Sequence, residues 1–268
     1  MLIRFGIISD PQYSDIDDMK GRQYRRSLEK LRLAISRLND EELDFVIQLG
    51  DFIDHEFESF APALKVWNEL RHTSYHVLGN HDFCVRSPYK QEVLKTLGMN
   101  SAYYSFKLKS FRFIVLNGNG LSLNAFDEGS AMYEFSERYW ESLGSESQWW
   151  NGAVDAEQFK WLEAELIEAS AQQEQVIIFC HYPLFSESRF VLWNNKEILD
   201  LLESFDCAKV WMNGHFHEGS YTAEKGRHYL TVKGMVQFEE ATFAIAELSE
   251  SHLKISGFGA EESRILNF

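Results

Sequence analysis

The chain has 268 residues, enough for one large domain or two small ones with a real core. Its 26 basic and 41 acidic residues leave a formal net charge of −15, which excludes a general nucleic-acid or anionic-membrane surface, because phosphate backbones are held by clustered Lys and Arg. Hydrophobic content of 45% and aromatic content of 15% belong to a folded globular protein; a phosphorylated substrate stays open, since bound cations reverse a local field.

In chain order, the apolar run at residues 2–8 (LIRFGII) predicts a buried strand that ends on Ser9, Asp10, Pro11 and Gln12. Leu28, Leu31, Ile35 and Leu38 then repeat at helical spacing. Further largely buried strands are expected at 43–49, 75–78, 111–116, 176–180 and 208–213, each ending at Gly, Asn, His or Asp. A second helical stripe, Phe159, Leu162 and Leu166, follows the N-cap candidate Asp155. From about residue 219 only strands are expected, at 220–224, 227–232, 242–248 and 252–258, so an α/β body is finished by an antiparallel meander.

No repeat or linker divides the chain, and residues 1–268 read as one domain. An insertion at about 118–151 stands apart, with Phe126, Tyr133, Phe135, Tyr139, Trp140, Trp149 and Trp150 at no clean period. A lid or binding loop and a satellite apolar cluster are equal expectations for it. Cys84, Cys180 and Cys207 have no paired spacing, so a reducing, cytoplasmic location is expected rather than a disulfide framework. No run approaches the roughly 18 apolar residues of a membrane helix.

Five short blocks fall at the ends of expected strands, where α/β sheets bind ligands. They are Asp10-Pro-Gln12, Gly50-Asp51-Phe-Ile-Asp54, Gly79-Asn80-His81-Asp82, Cys180-His181 and Gly214-His215-Phe-His217. Singly, each reads as a turn or a hydrogen-bonded structural residue. Together they offer carboxylates, amides and imidazoles that can converge at one sheet edge. Such hard oxygen and borderline nitrogen donors suit manganese, iron or zinc, and without cysteine pairs no structural zinc cage is expected.

In this order the blocks resemble the signature of the calcineurin-like metallophosphoesterases. The resemblance implies a four-layer α-β-β-α sandwich of two mixed sheets with a dinuclear metal site at the strand C-terminal edge. It implies that Asp51 bridges two divalent ions, manganese first, with iron, zinc or magnesium as alternatives. Asp10 and His217 would complete one ion's site, with Gln12 beside them. Asn80, His181 and His215 would complete the other. His81 would contact the reacting phosphoryl group, Asp82 would orient His81, and Asp54 would stand behind the ligands. Most members carry histidine where this chain has Gln12. The manganese-dependent ADP-ribose/CDP-alcohol diphosphatases share the glutamine and also resemble "QYRRSLEKL", "QLGDFID", "HYPLFS" and "GHFHEGSY". This chain departs from them at "GNHDF", where Glu is expected after the His, and through much of 118–150.

The implied activity is hydrolysis of small phosphorylated, nucleotide-derived substrates such as ADP-ribose or CDP-alcohols by water activated between the metals. A cyclic-nucleotide or other phosphodiesterase is the alternative, and a non-catalytic scaffold the rival from another class. Arg25 and Arg26 are candidates to hold a second phosphate, against a solvated helix start. Phe83 and Cys84 are candidates to line the pocket, against core packing. Tyr182, Pro183 and Phe185 read as core ahead of base stacking.

Overall fold

A computed structural model gives the fold and describes residues 2–145, 147–185 and 189–268. The strands are β1 (Ile3–Ile8), β2 (Phe45–Gln48), β3 (Ser74–His76), β4 (Tyr104–Leu108), β5 (Phe111–Val115), β6 (Leu121–Ser122) and β7 (Gly152–Ala153). They continue with β8 (Gln175–Phe179), β9 (Ala208–Asn213), β10 (Ser220–Glu224), β11 (Arg227–Thr231), β12 (Phe243–Leu248), β13 (His252–Phe258) and β14 (Arg264–Asn267). The helices are α1 (Ser27–Asn39), α2 (Phe60–Trp67), the single turns α3 (Ser87–Lys90) and α4 (Val93–Thr96), α5 (Ala131–Ser142), α6 (Ala156–Ala171) and α7 (Asn195–Glu203).

Two six-stranded mixed sheets form, in the orders β14-β13-β12-β1-β2-β3 and β10-β11-β9-β8-β5-β4. The two-residue period of each central strand divides its apolar side chains between two layers. Ile3, Phe5 and Ile7, with Phe45, Ile47, Phe113, Phe179 and Met212, fill the space between the sheets. Ile8 and Val46 face α1 and α2 instead, against Leu31, Ile35, Leu38 and Phe60. On the far side, Ile114, Ile178 and Trp211 pack on Leu162 and Leu166 of α6 and Ile198 of α7. The result is the expected α-β-β-α order of layers. Strands buried on both faces explain why β1, β2, β5 and β8 read as continuous apolar runs.

The terminal strands differ from a single meander. The β10–β11 hairpin extends the second sheet, with β11 parallel to β9, whereas β12, β13 and β14 run antiparallel onto β1 of the first. β4 and β14 lie outside the expected strands because each is an edge strand with exposed positions and a short apolar signal. The helix cap at Asp155 is formed as expected: its Oδ1 accepts from the backbone N–H of Glu157 and Gln158 at 3.0 and 2.9 Å. The insertion holds a helix that its composition concealed, α5, capped by Ser130 Oγ accepting from Tyr133 N at 3.2 Å. Among the described residues, no helix is long and apolar enough to cross a membrane.

Candidate metal centre

β1, β2 and β3 of one sheet and β8 and β9 of the other end side by side, and the five sequence blocks leave from those ends. The backbone there is bent away from ordinary strand geometry. Asp10, Gln12, Asp51 and His215 all have positive φ (46°, 44°, 52° and 69°). Among the described residues they are four of the eight non-glycine residues with that sign, and strain of this sort gathers where side-chain placement matters more than backbone comfort. Gly50 and Gly79 make room. Gly50 has φ +94°, and a Cβ on it would stand 2.4 Å from His181 Nδ1. A Cβ on Gly79 would stand 2.1 Å from Asp51 Oδ1.

Two donor sets share Asp51. Asp51, His181 and His215 form one, and Asp10, Asp51 and His217 the other; within each, one ligand atom per residue lies within 4.8 Å of the rest. All five side chains are buried. Backbone N–H groups fix the carboxylates: His81 N donates to Asp51 Oδ1 at 2.8 Å, and His215 N to both Asp10 oxygens at 3.2 Å. Ser9 Oγ also donates to Asp10.

Counting protons tests whether cations suit these donors. His181 Nδ1 lies 2.8 Å from the Leu49 carbonyl, which can only accept, so the proton sits on Nδ1 and leaves Nε2 a lone pair. That Nε2 faces Asn80 Oδ1 and Asp51 Oδ2, each at 3.2 Å, and His215 Nδ1 at 3.1 Å. Lone pairs converging in a buried site call for positive charge. In a metal-free site a second proton supplies it: burial opposes the charge, but Asp51 outweighs that and pushes His181 up to about 9. A cation displaces that proton. Asp51 is likewise held well below the usual carboxylate range, burial opposing its charge and His181 and His81 favouring it. For His215, burial and then the His181 charge push the imidazole well below its ordinary value. Gln12 adds a second sign: its Nε2 donates to Asp54 Oδ1 at 2.9 Å, while its buried Oε1 has no hydrogen-bond partner among the described residues. An unpaired buried acceptor costs about 1–3 kcal/mol, a cost removed when it meets a cation or a cation's water. The residues therefore fit two divalent ions.

The centre floors a cleft of about 390 Å³, within the range of small-molecule sites. Asp51, Asn80, His81, His215 and His217 line it, with Lys20, Arg22, His55, Cys84, Asn124, Trp149, Trp150 and Phe190 around them.

Several expected neighbours lie elsewhere. Among the described residues Asp82 makes no hydrogen bond or ion pair with the His81 ring; its carboxylate accepts from the backbone N–H of Phe52, Gly79 and Ile53 at 2.8, 2.9 and 3.3 Å and ties the two loops together. Burial, then the Asp51 charge, push it up to about 7. The carboxylate beside His81 is Asp54, with Oδ1 2.8 Å from His81 Nδ1. Arg25 and Arg26 stay outside the cleft because acidic neighbours hold them at the surface: Arg25 pairs with Asp15 and Asp17 at 2.6 and 2.7 Å, and Arg26 with Glu239 at 2.9 Å. Phe83 packs into the core beside α2, while Cys84 lines the cleft. Tyr182 is core, its hydroxyl donating to Asn119 Oδ1 at 2.7 Å, and Phe185 packs on Tyr229.

The insertion divides between two places. Tyr139, Trp140 and Leu123 make a satellite cluster with Leu121, Ala153 and Trp193, while Asn124, Trp149 and Trp150 form a cleft wall. Its last residue, Asn151, is buried with Oδ1 2.9 Å from His215 Nε2. Asn151, Lys20, Arg22, His55 and Phe190 were not foreseen. Only His55, directly after the Asp51–Asp54 block, had a local signal.

This fold and these donors define a metal-dependent phosphoester hydrolase with a dinuclear centre. The family model for calcineurin-like phosphoesterases matches residues 3–219, and the chain belongs to that family. Proteins named manganese-dependent ADP-ribose/CDP-alcohol diphosphatase from Arabidopsis thaliana and Homo sapiens are 27% and 26% identical to it, in alignments covering all of this chain and 97% and 93% of theirs. The crystal structure of a dimetal phosphatase from Danio rerio superposes with TM-score 0.88 at 27% identity, over 99% of this chain and 98% of that one.

Proposed function

We propose that the chain hydrolyses the phosphoanhydride of nucleoside diphosphate derivatives, with ADP-ribose and CDP-alcohols as the leading substrates and manganese as the metal. The observation that carries this is the cleft itself: one floor with two buried donor sets, walled by the cations Lys20 and Arg22 and by the aromatics Trp149, Trp150 and Phe190. A diphosphate needs charge on both phosphates, and a nucleobase needs a flat apolar wall. The names of the full-length relatives support the same substrate class.

In this reading Asp51 would be shared by the two ions. Asp10, His217 and Gln12 Oε1 would hold one, and Asn80, His181 and His215 would hold the other. When bound, the ions supply an activated water and neutralise charge at the attacked phosphorus. His81 donates to the non-bridging oxygens and protonates the leaving oxygen, its ring fixed through Nδ1 by Asp54. Asp82 acts only by holding the loops that carry Asp51 and His81. Arg22 and Lys20 bind the second phosphate. Residues 1–268 form one catalytic unit, because both sheets share one apolar layer. Three free thiols support a cytoplasmic location.

The test is a panel of ADP-ribose, CDP-choline and a cyclic nucleotide, each assayed with manganese and then magnesium. Faster cleavage of the two diphosphates with manganese is expected. A preference for the cyclic nucleotide would make the protein a phosphodiesterase instead.

A further inference from the structure

Beside the dinuclear centre stands a third cluster that the proposed reaction does not use as a unit. A ring nitrogen of His55, a ring nitrogen of His81 and the Cys84 Sγ all lie within 4.8 Å of one another. We propose that His55, His81 and Cys84 form a separate site for a thiophilic divalent cation, zinc above all, and that its occupation switches hydrolysis off by capturing His81.

Three features support a built site. First, one carboxylate, Asp54, faces the Nδ1 of both imidazoles, one oxygen to each: Oδ2 bonds His55 Nδ1, and Oδ1 lies at ion-pair distance, 2.8 Å, from His81 Nδ1. Both Nε2 atoms are then left without a hydrogen-bond partner among the described residues. Ligating histidines are arranged in this way, the second nitrogen fixed by a carboxylate so that the first presents its lone pair. Second, the rings stand edge to face with centroids 5.2 Å apart, so neither blocks the other. Third, the Cys84 thiol lines the cleft and, among the described residues, makes one hydrogen bond, donating to the Asn80 carbonyl oxygen at 3.4 Å.

Two imidazoles, a thiolate and a water make a tetrahedral zinc set, in which ligand atoms stand about 3.3–3.6 Å apart. The three ligand atoms already lie within 4.8 Å, and His55, whose side chain is 54% exposed, is the ligand with room to close on the ion. Sulfur provides the selectivity. Manganese and magnesium prefer oxygen donors and pass the cluster by, while zinc, cobalt and cadmium favour it. The dinuclear donors contain no sulfur, so the two kinds of site are chemically distinct.

The experiment uses the manganese-loaded enzyme titrated with zinc, and separately with cobalt. The wild type is expected to bind one further ion, to show a thiolate-to-cobalt absorption band, and to lose at least tenfold of its activity as that ion binds. Cys84→Ser should abolish the band, and both Cys84→Ser and His55→Gln should weaken zinc inhibition at least tenfold, each measured against its own zinc-free rate. No thiolate band in the wild type, or zinc inhibition unchanged in both variants, would overturn the proposal. The inhibitory consequence rests on the catalytic reading of His81, but the cobalt band does not. A band without inhibition would establish the site and refute its control of the reaction.

Discussion

Asp54→Asn probes how the protein equips His81. The Asp54 carboxylate is 4% exposed, accepts from Gln12 Nε2 at 2.9 Å, bonds His55 and lies 2.8 Å from His81 Nδ1. Burial opposes its charge, yet the His55 and His81 contacts hold it well below the usual carboxylate range. An amide has one acceptor oxygen for three donors, and its NH2 must face a ring N–H. The His81–Asp54 contact is a buried ion-pair approach of 2.8 Å without hydrogen-bond alignment; drawn into a hydrogen bond to the charged group in the reacting enzyme, it is worth about 1.5–3 kcal/mol. At about 1.36 kcal/mol per tenfold, kcat should fall roughly 10- to 150-fold on ADP-ribose with saturating manganese. Removing His81 first should remove the effect, so in the His81→Ala background the same substitution should cost less than about threefold. Metal content by mass spectrometry should stay at two ions per chain. A full loss persisting in the His81→Ala background would refute the reasoning, because Asp54 would then act on the metals or the fold.

Other consequences are equally concrete. His81→Ala should lose more rate on an alkyl phosphodiester than on a diphosphate, whose leaving group is already a good one; equal losses across a leaving-group series would deny His81 its proton-donor role. Gln12→His should tighten manganese binding, because imidazole is the stronger donor, and change the ranking of phosphoester substrates; unaltered affinity in a metal titration would make Gln12 a loop residue. Arg22→Ala should raise KM for ADP-ribose by roughly tenfold with a smaller change in kcat, while Arg25→Ala, outside the cleft, should leave both within about twofold. His76 is buried, and burial holds it down at about 4 against an ordinary 6.5. Protons therefore bind the unfolded chain first, so stability is full above about pH 6.5 and drains as pH falls toward 4, by at most about 3 kcal/mol. Urea denaturation at pH 7 and 4.5 should show that loss, and His76→Gln should reduce it; an unchanged slope would place the acid sensitivity elsewhere.

The site was legible wherever chemistry follows directly on a buried strand. Asp10, Asp51, Asn80, His181 and His215 each leave the end of an apolar run, and period and position together announce them. Partnerships across space were not legible. Asp82 adjoins His81 in the chain, but a 3₁₀ turn at His81–Phe83 sends its carboxylate to the backbone of Phe52 and Gly79, leaving Asp54 to meet the imidazole. Arg25 and Arg26 were nearer to the helix pattern than Arg22, yet the Met19–Arg22 bridge turns Lys20 and Arg22 toward the cleft. Asn151 reaches His215 from 64 residues away, and no local pattern marks such a contact. In α5 the one fully buried residue is Ser136, so the helix carries no apolar stripe to read.

The central claim is that this chain holds two ions through one shared carboxylate and uses both. Protein stripped with a chelator and titrated with manganese tests it most directly, with bound metal and ADP-ribose hydrolysis followed together. Two ions per chain are predicted, with activity rising as the second binds, and Asp51→Asn should lose both binding and turnover. A single ion at full activity, or hydrolysis that persists in excess chelator, would contradict the account.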